Sequence, residues 1–179
     1  MFILDRDLLK RLTDRKVSLA EIETQEKKCF LSKFDAEIAF ELGTFIRAAT
    51  KELFPGNPVA IDITLSNGHC LFRTMINSGT GIENDFWIAR KQKTVFRFDH
   101  STFYMGCKKA DKTPEERFFV DSKEYAFHGG SVPIYLLSTD FPVACLTISG
   151  LKQEEDHLLA VTSIVEFANK STEAELSLD

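Results

Sequence analysis

The sequence lacks the short motifs that identify common enzyme classes. It contains no Gly-x-Ser-x-Gly nucleophile elbow, no phosphate-binding loop ending in Lys-Ser or Lys-Thr, and no Cys-x-x-Cys pair. Its four cysteines are widely separated, which argues against a zinc ribbon or a thioredoxin-like centre and predicts reduced thiols. We therefore expect no metal site and no complete catalytic site, so a non-enzymatic function is favoured.

Long apolar runs are also missing. The chain reaches charged residues at Asp5 and Arg6 before it can accumulate the roughly 7 to 15 apolar residues of a secretory signal. No later segment approaches the ~18 uncharged apolar residues that cross a bilayer. We therefore expect a soluble, cytoplasmic protein that does not insert into membranes.

The chain has no overall surplus of positive charge. Its net formal charge is −5, which disfavours nucleic-acid binding because phosphate neutralisation needs a basic surface. Positive charge is nevertheless concentrated between residues 90 and 112. This basic stretch is either the solvated face of two helices or a site for an anion or an acidic partner. Its members are Arg90, Lys91, Lys93, Arg97, Lys108, Lys109 and Lys112.

What the chain does contain is enough apolar material for one domain. It has 179 residues, 44% of them hydrophobic, and its 16 Phe against 3 Tyr and 1 Trp predict a dry, phenyl-rich core or interface. We assign residues 1–168 to a single α/β domain with a helical N-terminal segment at 1–53. Residues 169–179 continue no apolar stripe and are predicted to form a mobile, acidic C-terminal tail.

Three helices are predicted in the N-terminal segment. Leu8, Leu9 and Leu12 form a short apolar stripe, and the sequence from Ser18 to Glu21 is a capping box that begins a second helix. Apolar residues then recur at intervals of three and four from residue 34 to residue 49, which predicts the third helix.

A hairpin follows at residues 59–76. Period-two alternation on both sides of Asn67-Gly68 predicts two strands joined by a two-residue type I′ turn. Directly opposed residue numbers then sum to 135, which places Asp62 opposite Arg73 on the face away from the main apolar layer.

The rest of the chain predicts further helices and two more strands. Asn84 and Ser101 are candidate caps of two helices, strands are expected near residues 130–137 and 142–149, and a last helix begins near Gln153. This order predicts an α+β domain in which a mostly antiparallel sheet lies between helices in three α/β/α layers.

Histidines are the natural candidates for ligand binding. His100 lies in the basic stretch near Tyr104 and Arg97, so these three residues form one candidate ligand site. His128 precedes two glycines, as in the oxyanion loop of lipases, but a glycine-permitted turn into a strand is the simpler interpretation. We expect His69 to be exposed and His157 to belong to a polar cluster in the first turn of the last helix.

Six short segments together resemble the haem-degrading-domain family of HbpS and GlcG relatives. The resemblance covers roughly residues 30 to 170 and is strongest to an uncharacterised intracellular branch with fungal members. It implies a profilin-like α/β/α fold, assembly into homo-oligomers, and the haem binding of some members. The segments are Pro-Val-Ala-Ile-Asp-Ile (58–63), Asn-Gly-His (67–69), Asp-Phe-Trp (85–87), Phe-His-Gly-Gly (127–130), Leu-Thr-Ile-Ser-Gly (146–150) and Glu-Asp-His (155–157).

Two main functions remain open from the sequence. The first is a homo-oligomeric adaptor whose tail docks a tetratricopeptide-repeat (TPR) co-chaperone, in a chaperone or tail-anchored membrane-protein targeting pathway. Glu175, Leu176, Leu178 and Asp179 would supply the acidic and apolar contacts of such a peptide. The alternative is a protein that binds haem or another small ligand through His100, Tyr104, Arg97 and His128. Redox sensing through Cys107 is a third hypothesis.

Overall fold

The structure, a computed structural model, describes residues 2–108 and 111–176. Helices and strands alternate along the chain in the order expected of an α+β domain. The helices are α1 (Arg6–Thr13), α2 (Leu19–Glu26), α3 (Ala36–Leu53), α4 (Ile82–Phe98), α5 (Thr102–Cys107), α6 (Pro114–Phe118) and α7 (Gln153–Leu176). The strands are β1 (Phe30–Leu31), β2 (Val59–Leu65), β3 (Cys70–Ile76), β4 (Ser131–Leu136) and β5 (Ala144–Ser149).

The strands form one sheet in the order β1-β4-β5-β2-β3. Only the β1–β4 pair is parallel, and the other neighbours are antiparallel, so the predicted mostly antiparallel sheet is confirmed. The two-residue strand β1 was not predicted, because the sequence pattern placed residues 1–53 in helices. A strand this short carries no periodicity of its own, and its pairing with β4 alone defines it.

Helices cover both faces of the sheet. Phe72 of β3 packs against Gly43 of α3, whereas the next residue, Arg73, reaches Asp85 of α4 at 3.2 Å. Because successive side chains of a strand point to opposite faces, α3 and α4 lie on opposite sides of the sheet. Helix α7 packs against α3 and shares its layer. The predicted three-layer α/β/α arrangement is therefore confirmed.

Two of the three predicted caps lie at helix starts. Ser18 accepts a hydrogen bond from the Glu21 backbone N–H, and Glu21 in turn accepts from the Ser18 backbone N–H, which completes the capping box. Ser101 accepts from the Tyr104 backbone N–H at 3.0 Å. The prediction for α4 is wrong, since that helix begins at Ile82 and Asn84 lies inside its first turn, accepting from the Gly81 N–H at 3.0 Å.

The predicted hairpin register is correct for most of its length. Residues pair as expected from Val59 opposite Ile76 to Ile63 opposite Phe72, and Asp62 faces Arg73. Near the turn the register shifts, because Leu71 is an extra residue in β3. The predicted type I′ turn is wrong, since it requires positive φ at both central residues and only Gly68, at 89°, has it.

The core is more aliphatic than the phenylalanine count predicts. Isoleucine and leucine provide most of the large side chains that are fully buried between the sheet and the helices. Several phenylalanines lie on the surface, at 60% to 89% exposure, and these are Phe40, Phe86, Phe119 and Phe141. Part of the phenyl surface is thus available for contacts outside this chain.

Helix α7 is longer than its apolar stripe. It continues to Leu176, whereas the stripe stops at Ala168, so the first part of the segment predicted as a mobile tail is helical. Residues 169–176 contain no proline or glycine that would end the helix. None of the helices described is both long and apolar enough to cross a membrane.

Candidate functional site

A cleft lies between the first turns of α4 and α7. It has a volume of about 530 Å³ and is lined by residues of both helices, the end of β5 and the loop before β4. A second pocket of about 320 Å³ adjoins it, and the two share Trp87, His128 and Gln153. Both volumes are in or near the range of small-molecule sites. We refer to the two pockets together as the Trp87 cleft.

Glycines allow the walls of this cleft to approach closely. Gly130 has a φ of +127°, and a Cβ added there would lie 2.4 Å from the Ile148 carbonyl oxygen and 2.5 Å from Lys91 Nζ. A Cβ on Gly129 would lie 2.3 Å from the Gln153 carbonyl oxygen. The expected turn from His128 into β4 is therefore confirmed, and its glycines are required because backbone and side chains occupy the space of a Cβ.

Trp87 and His128 form an aromatic pair where the two pockets meet. Their ring centroids are 5.1 Å apart and the rings are nearly perpendicular, at 81°. The Arg90 guanidinium lies over the Trp87 ring, 4.2 Å from its centroid. Burial lowers the pKa of His128, and the positive charges of Lys91 and Arg90 lower it further. The imidazole is therefore neutral at pH 7 and has a lone pair available.

A buried ion pair lies at the floor of the cleft. Lys91 is 3% exposed and Asp156 is 2% exposed, and Lys91 Nζ lies 3.4 Å from Asp156 Oδ2 and 3.0 Å from the Ile148 carbonyl oxygen. Asp156 also accepts from the Leu151 N–H at 3.2 Å. Desolvation lowers the pKa of Lys91, and it raises the pKa of Asp156 to about 6. Both shifts favour the uncharged forms of the two side chains.

The remaining wall of the cleft is polar. Asn84 donates to the Ser149 carbonyl oxygen at 3.4 Å, which links the start of α4 to the end of β5. Gln153 accepts from the Gly129 N–H at 3.3 Å. Glu154 pairs with Arg15 at 3.1 Å, which offsets part of the negative charge in the first turn of α7. The cleft thus has mixed charge, with an aromatic pair on one side.

The structure places the predicted site of His100 and Tyr104 elsewhere. The two rings are stacked, with centroids 4.0 Å apart, and His100 Nδ1 lies 2.8 Å from Glu26 Oε2. Glu26 is 2% exposed and also accepts from the Ser101 N–H at 2.6 Å. His100 therefore joins α2 to the start of α5, and neither ring lines the Trp87 cleft.

Arg97 contacts the end of α6 and the loop that follows it, instead of His100. Its guanidinium donates to the Phe118 carbonyl oxygen at 3.2 Å and to the Tyr125 hydroxyl at 3.4 Å. Of the four candidate ligand residues, only His128 lines the Trp87 cleft. The residues of the basic stretch do not share one environment. Lys91 is buried in the cleft, whereas Lys93 is half-exposed on the surface and pairs with Glu124.

His69, His157 and Cys107 lie outside the Trp87 cleft. His69 is exposed, as predicted, whereas His157 is fully buried, stacked on Phe103 with centroids 4.7 Å apart. Burial lowers the pKa of His157 to about 3. Burial also raises the pKa of Cys107, although Arg15 lies 3.2 Å from its sulfur, so its thiol is not activated. Within the described residues, no cluster of three or more His, Cys, Asp or Glu side chains is arranged to hold a metal.

The predicted docking residues lie at the end of the chain. Glu175 and Leu176 are in the last turn of α7. Leu178 and Asp179 lie outside the described residues. The tail hypothesis therefore depends on the sequence at these positions.

Sequence reasoning missed Lys91, Asp156 and Trp87 as site residues. Lys91 was grouped with other basic residues, and Asp156 appeared within the Glu-Asp-His segment (155–157). Two signals were present, namely a single tryptophan in the chain and two consecutive glycines after His128. Neither signal identifies the partner across the cleft, because α4 and α7 are far apart in sequence.

Comparison with known proteins identifies close and distant relatives. A family model described as "Haem degrading protein HbpS-like" matches residues 34–164. The UPF0303 protein YBR137W of Saccharomyces cerevisiae is 66% identical over 179 residues, which covers 100% of each chain. The UPF0303 protein P4H10.12 of Schizosaccharomyces pombe is 34% identical over 167 residues, with 92% of each chain covered.

Solved structures also match this chain. The crystal structure of Ybr137w matches with a TM-score of 0.94 and covers 96% of this chain and 99% of that one. HbpS matches with a TM-score of 0.57 at 20% identity, covering 73% and 86% of the two chains. A PduOC:haem complex matches with a TM-score of 0.58 at 17% identity, covering 76% and 95%. At these low identities, the last two matches show a shared fold. The resemblance inferred from six short segments is confirmed, and the chain belongs to the HbpS-like family of haem-degrading proteins.

Proposed function

We propose that this protein binds haem in the Trp87 cleft, with His128 as the iron ligand and Trp87 as an apolar contact. The observation that carries the proposal is the position of His128, which lies beside Trp87 at the junction of the two pockets. Within residues 2–108 and 111–176 its ring nitrogens form no hydrogen bond, so no neighbour in that part of the chain competes for them. Family membership and the haem complex of PduOC support the same ligand.

The residues of the cleft fit this group chemically. Neutral imidazole is the form that coordinates iron, and the lowered pKa of His128 keeps the ring neutral at pH 7. Arg90 and Lys152 supply positive charge for the haem carboxylates. When bound, haem would supply a redox-active iron centre. Residues of the Trp87 cleft would orient the haem ring and limit the access of water to it.

A haem titration compares the two candidate histidines directly. Purified protein is titrated with haem, and a Soret band is followed for wild type, His128→Ala and His100→Ala. We expect His128→Ala to weaken binding more than about tenfold, because loss of even an indirect ligand contact commonly costs that much. His100→Ala is the matched control and should bind as wild type does. Loss of the band only in His100→Ala would contradict the assignment of the cleft.

A second candidate function is docking of a TPR co-chaperone by the C-terminal segment, within a chaperone or tail-anchored membrane-protein targeting pathway. It is supported by the sequence Glu175-Leu176-Ser177-Leu178-Asp179, in which two acidic residues flank the apolar anchors Leu176 and Leu178, with Ser177 between the anchors. Deletion of Leu178 and Asp179 should abolish capture of a purified TPR domain. Unchanged capture by the shortened protein would exclude this role.

We also propose that the protein is cytoplasmic and forms a homo-oligomer. The exposed rings of Phe40, Phe86, Phe119 and Phe141 provide apolar surface for contacts between copies. Light scattering at micromolar concentration measures the mass. A mass of one 20.3 kDa chain would contradict the proposal.

A further inference from the structure

Among the described residues, Lys91 is the only lysine that lines the Trp87 cleft and has an almost fully buried side chain. Its side chain is 4% exposed, compared with the exposed side chain of Lys152 in the same cleft. Gly130 makes room for the amine, because a Cβ at that position would lie 2.5 Å from Lys91 Nζ. The Ile148 carbonyl oxygen and Asp156 Oδ2 hold the nitrogen in place, at 3.0 Å and 3.4 Å.

We infer that Lys91 is a nucleophile that forms an imine with a small carbonyl compound, a short aldehyde or 2-oxo acid, entering the Trp87 cleft. The site is distinct from the proposed haem ligand, because it uses the floor of the cleft and needs neither iron nor His128. The small exposed fraction of Lys91 restricts the reaction to compact carbonyl compounds.

Imine formation requires an uncharged amine, and the surroundings of Lys91 favour that form. Desolvation lowers the pKa of the Lys91 ammonium, whereas burial raises the pKa of Asp156 to about 6. Relative to the same groups in water, both shifts favour the uncharged amine and the protonated carboxyl group. An ordinary exposed lysine, with a pKa of about 10.4, is uncharged in only about one molecule in 2,500 at pH 7.

The two side chains together complete the chemistry. Lys91 Nζ attacks the carbonyl carbon and forms a carbinolamine, and the nitrogen loses its proton as the carbonyl oxygen becomes a hydroxyl group. Asp156, 3.4 Å from the nitrogen, donates a proton to that hydroxyl group. Water leaves, a carbon–nitrogen double bond forms, and the iminium proton returns to Asp156. No oxidant or reductant is consumed.

Reductive trapping with glyoxylate tests the inference. The full chain, without haem, is incubated at pH 7 with glyoxylate and cyanoborohydride, and labelled peptides are mapped by mass spectrometry. We expect Lys91 to be labelled at least about tenfold faster than Lys152, because an exposed ammonium is almost entirely protonated at this pH. The chain's α-amino group is also partly uncharged at pH 7, and peptide mapping separates its label from that of Lys91.

Variants assign the roles of the two side chains. Lys91→Arg should lose the label while Lys152→Arg keeps it, and Asp156→Asn should slow labelling at least about tenfold because the proton donor is lost. If Lys91→Arg does not fold, the peptide map of the wild-type protein still decides the question. Labelling of Lys91 no faster than Lys152 overturns the inference. Failure of haem binding leaves it intact, since glyoxylate does not require His128.

Discussion

Arg73 Nε donates to Asp62 Oδ2 at 2.7 Å across the β2–β3 pair. Asp62 is fully buried beneath α4, and it also accepts from the Thr64 hydroxyl at 2.6 Å. Arg73 extends further to Asp85 of α4, at 3.2 Å. The pair therefore joins the hairpin to the helix that forms one wall of the cleft.

Removing this cation should destabilise the protein. Arg73→Met leaves the Asp62 carboxylate buried without its charged partner, and we expect a loss of about 1 to 3 kcal/mol in the free energy of unfolding, less than for a fully enclosed pair because Arg73 is partly solvated. Lys93→Met is the control, since Lys93 and Glu124 are both half-exposed and such pairs contribute about 0 to 1 kcal/mol. Urea unfolding of both variants gives the comparison, and equal losses would contradict the prediction.

Gly130 should tolerate substitution much less well than Gly56. Both have positive φ, at 127° and 84°, but a Cβ at Gly130 would lie 2.4 Å from the Ile148 carbonyl oxygen, whereas nothing lies within 4 Å of one at Gly56. Gly56→Ala should therefore cost only the conformational term of about 1 to 2 kcal/mol. Gly130→Ala adds overpacking of about 1 to 3 kcal/mol. Thermal or urea unfolding of the two variants measures the difference, which would vanish if the loop moved freely away from β5.

Acid should destabilise the protein through His157. Its folded pKa of about 3 lies below the ordinary value of 6.5, so the unfolded state binds more protons between these values. The stability contributed by neutral His157 is present above pH 6.5 and is lost as the pH falls towards 3, at up to about 1.4 kcal/mol per pH unit. Asp156 acts in the opposite direction, because its raised pKa makes its contribution fall as the pH rises through about 6.

A pair of histidine variants separates this term from the others. His157→Gln should lower the slope of unfolding free energy against pH between 4.5 and 6.5 by up to about 1.4 kcal/mol per pH unit relative to wild type, while His69→Gln at an exposed position should keep the wild-type slope. The measurement is denaturant unfolding at a series of pH values. An unchanged slope in His157→Gln would show that the buried imidazole does not remain neutral.

The single tryptophan should report the state of the cleft. Trp87 contacts His128 edge-to-face, so a change of charge on the imidazole alters the surroundings of the only indole in the chain. We expect a pH-dependent change in fluorescence with a midpoint below 6.5, because burial and the neighbouring cations lower the pKa of His128. His128→Gln should abolish this transition, and His100→Gln should retain it. A transition that persists in His128→Gln would assign it to another group.

Local sequence patterns predicted much of the scaffold. A capping box located α2 and the cap Ser101 located α5, and alternation on both sides of Asn67-Gly68 set the register that pairs Asp62 with Arg73. These features depend on residues close in sequence, where spacing determines which groups meet. The bulge at Leu71 was not predicted, because it depends on the backbone angle of one residue. The start of α4 at Ile82 was not predicted, because Gly81 takes the cap position that the sequence assigned to Asn84.

The candidate site was harder to predict than the fold. His128 was one of four candidate ligand residues, although its two glycines favoured a simple turn. His100 and Tyr104 were chosen from their position in a basic stretch, and in the structure they contact each other and Glu26. A sequence shows that a residue can titrate or coordinate, but it does not show whether another side chain already satisfies it.

The sequence by itself determined the family, the order of the helices and of the four longer strands, and the antiparallel hairpin, because these follow from local periodicity, caps and short recognisable segments. The tertiary structure alone decided that Lys91 and Asp156 meet at the floor of a cleft beside Trp87. Those residues lie on separate helices brought together by the packing of α4 and α7 on the sheet. Their burial, and hence their pKa shifts, arises only when the surrounding backbone excludes water.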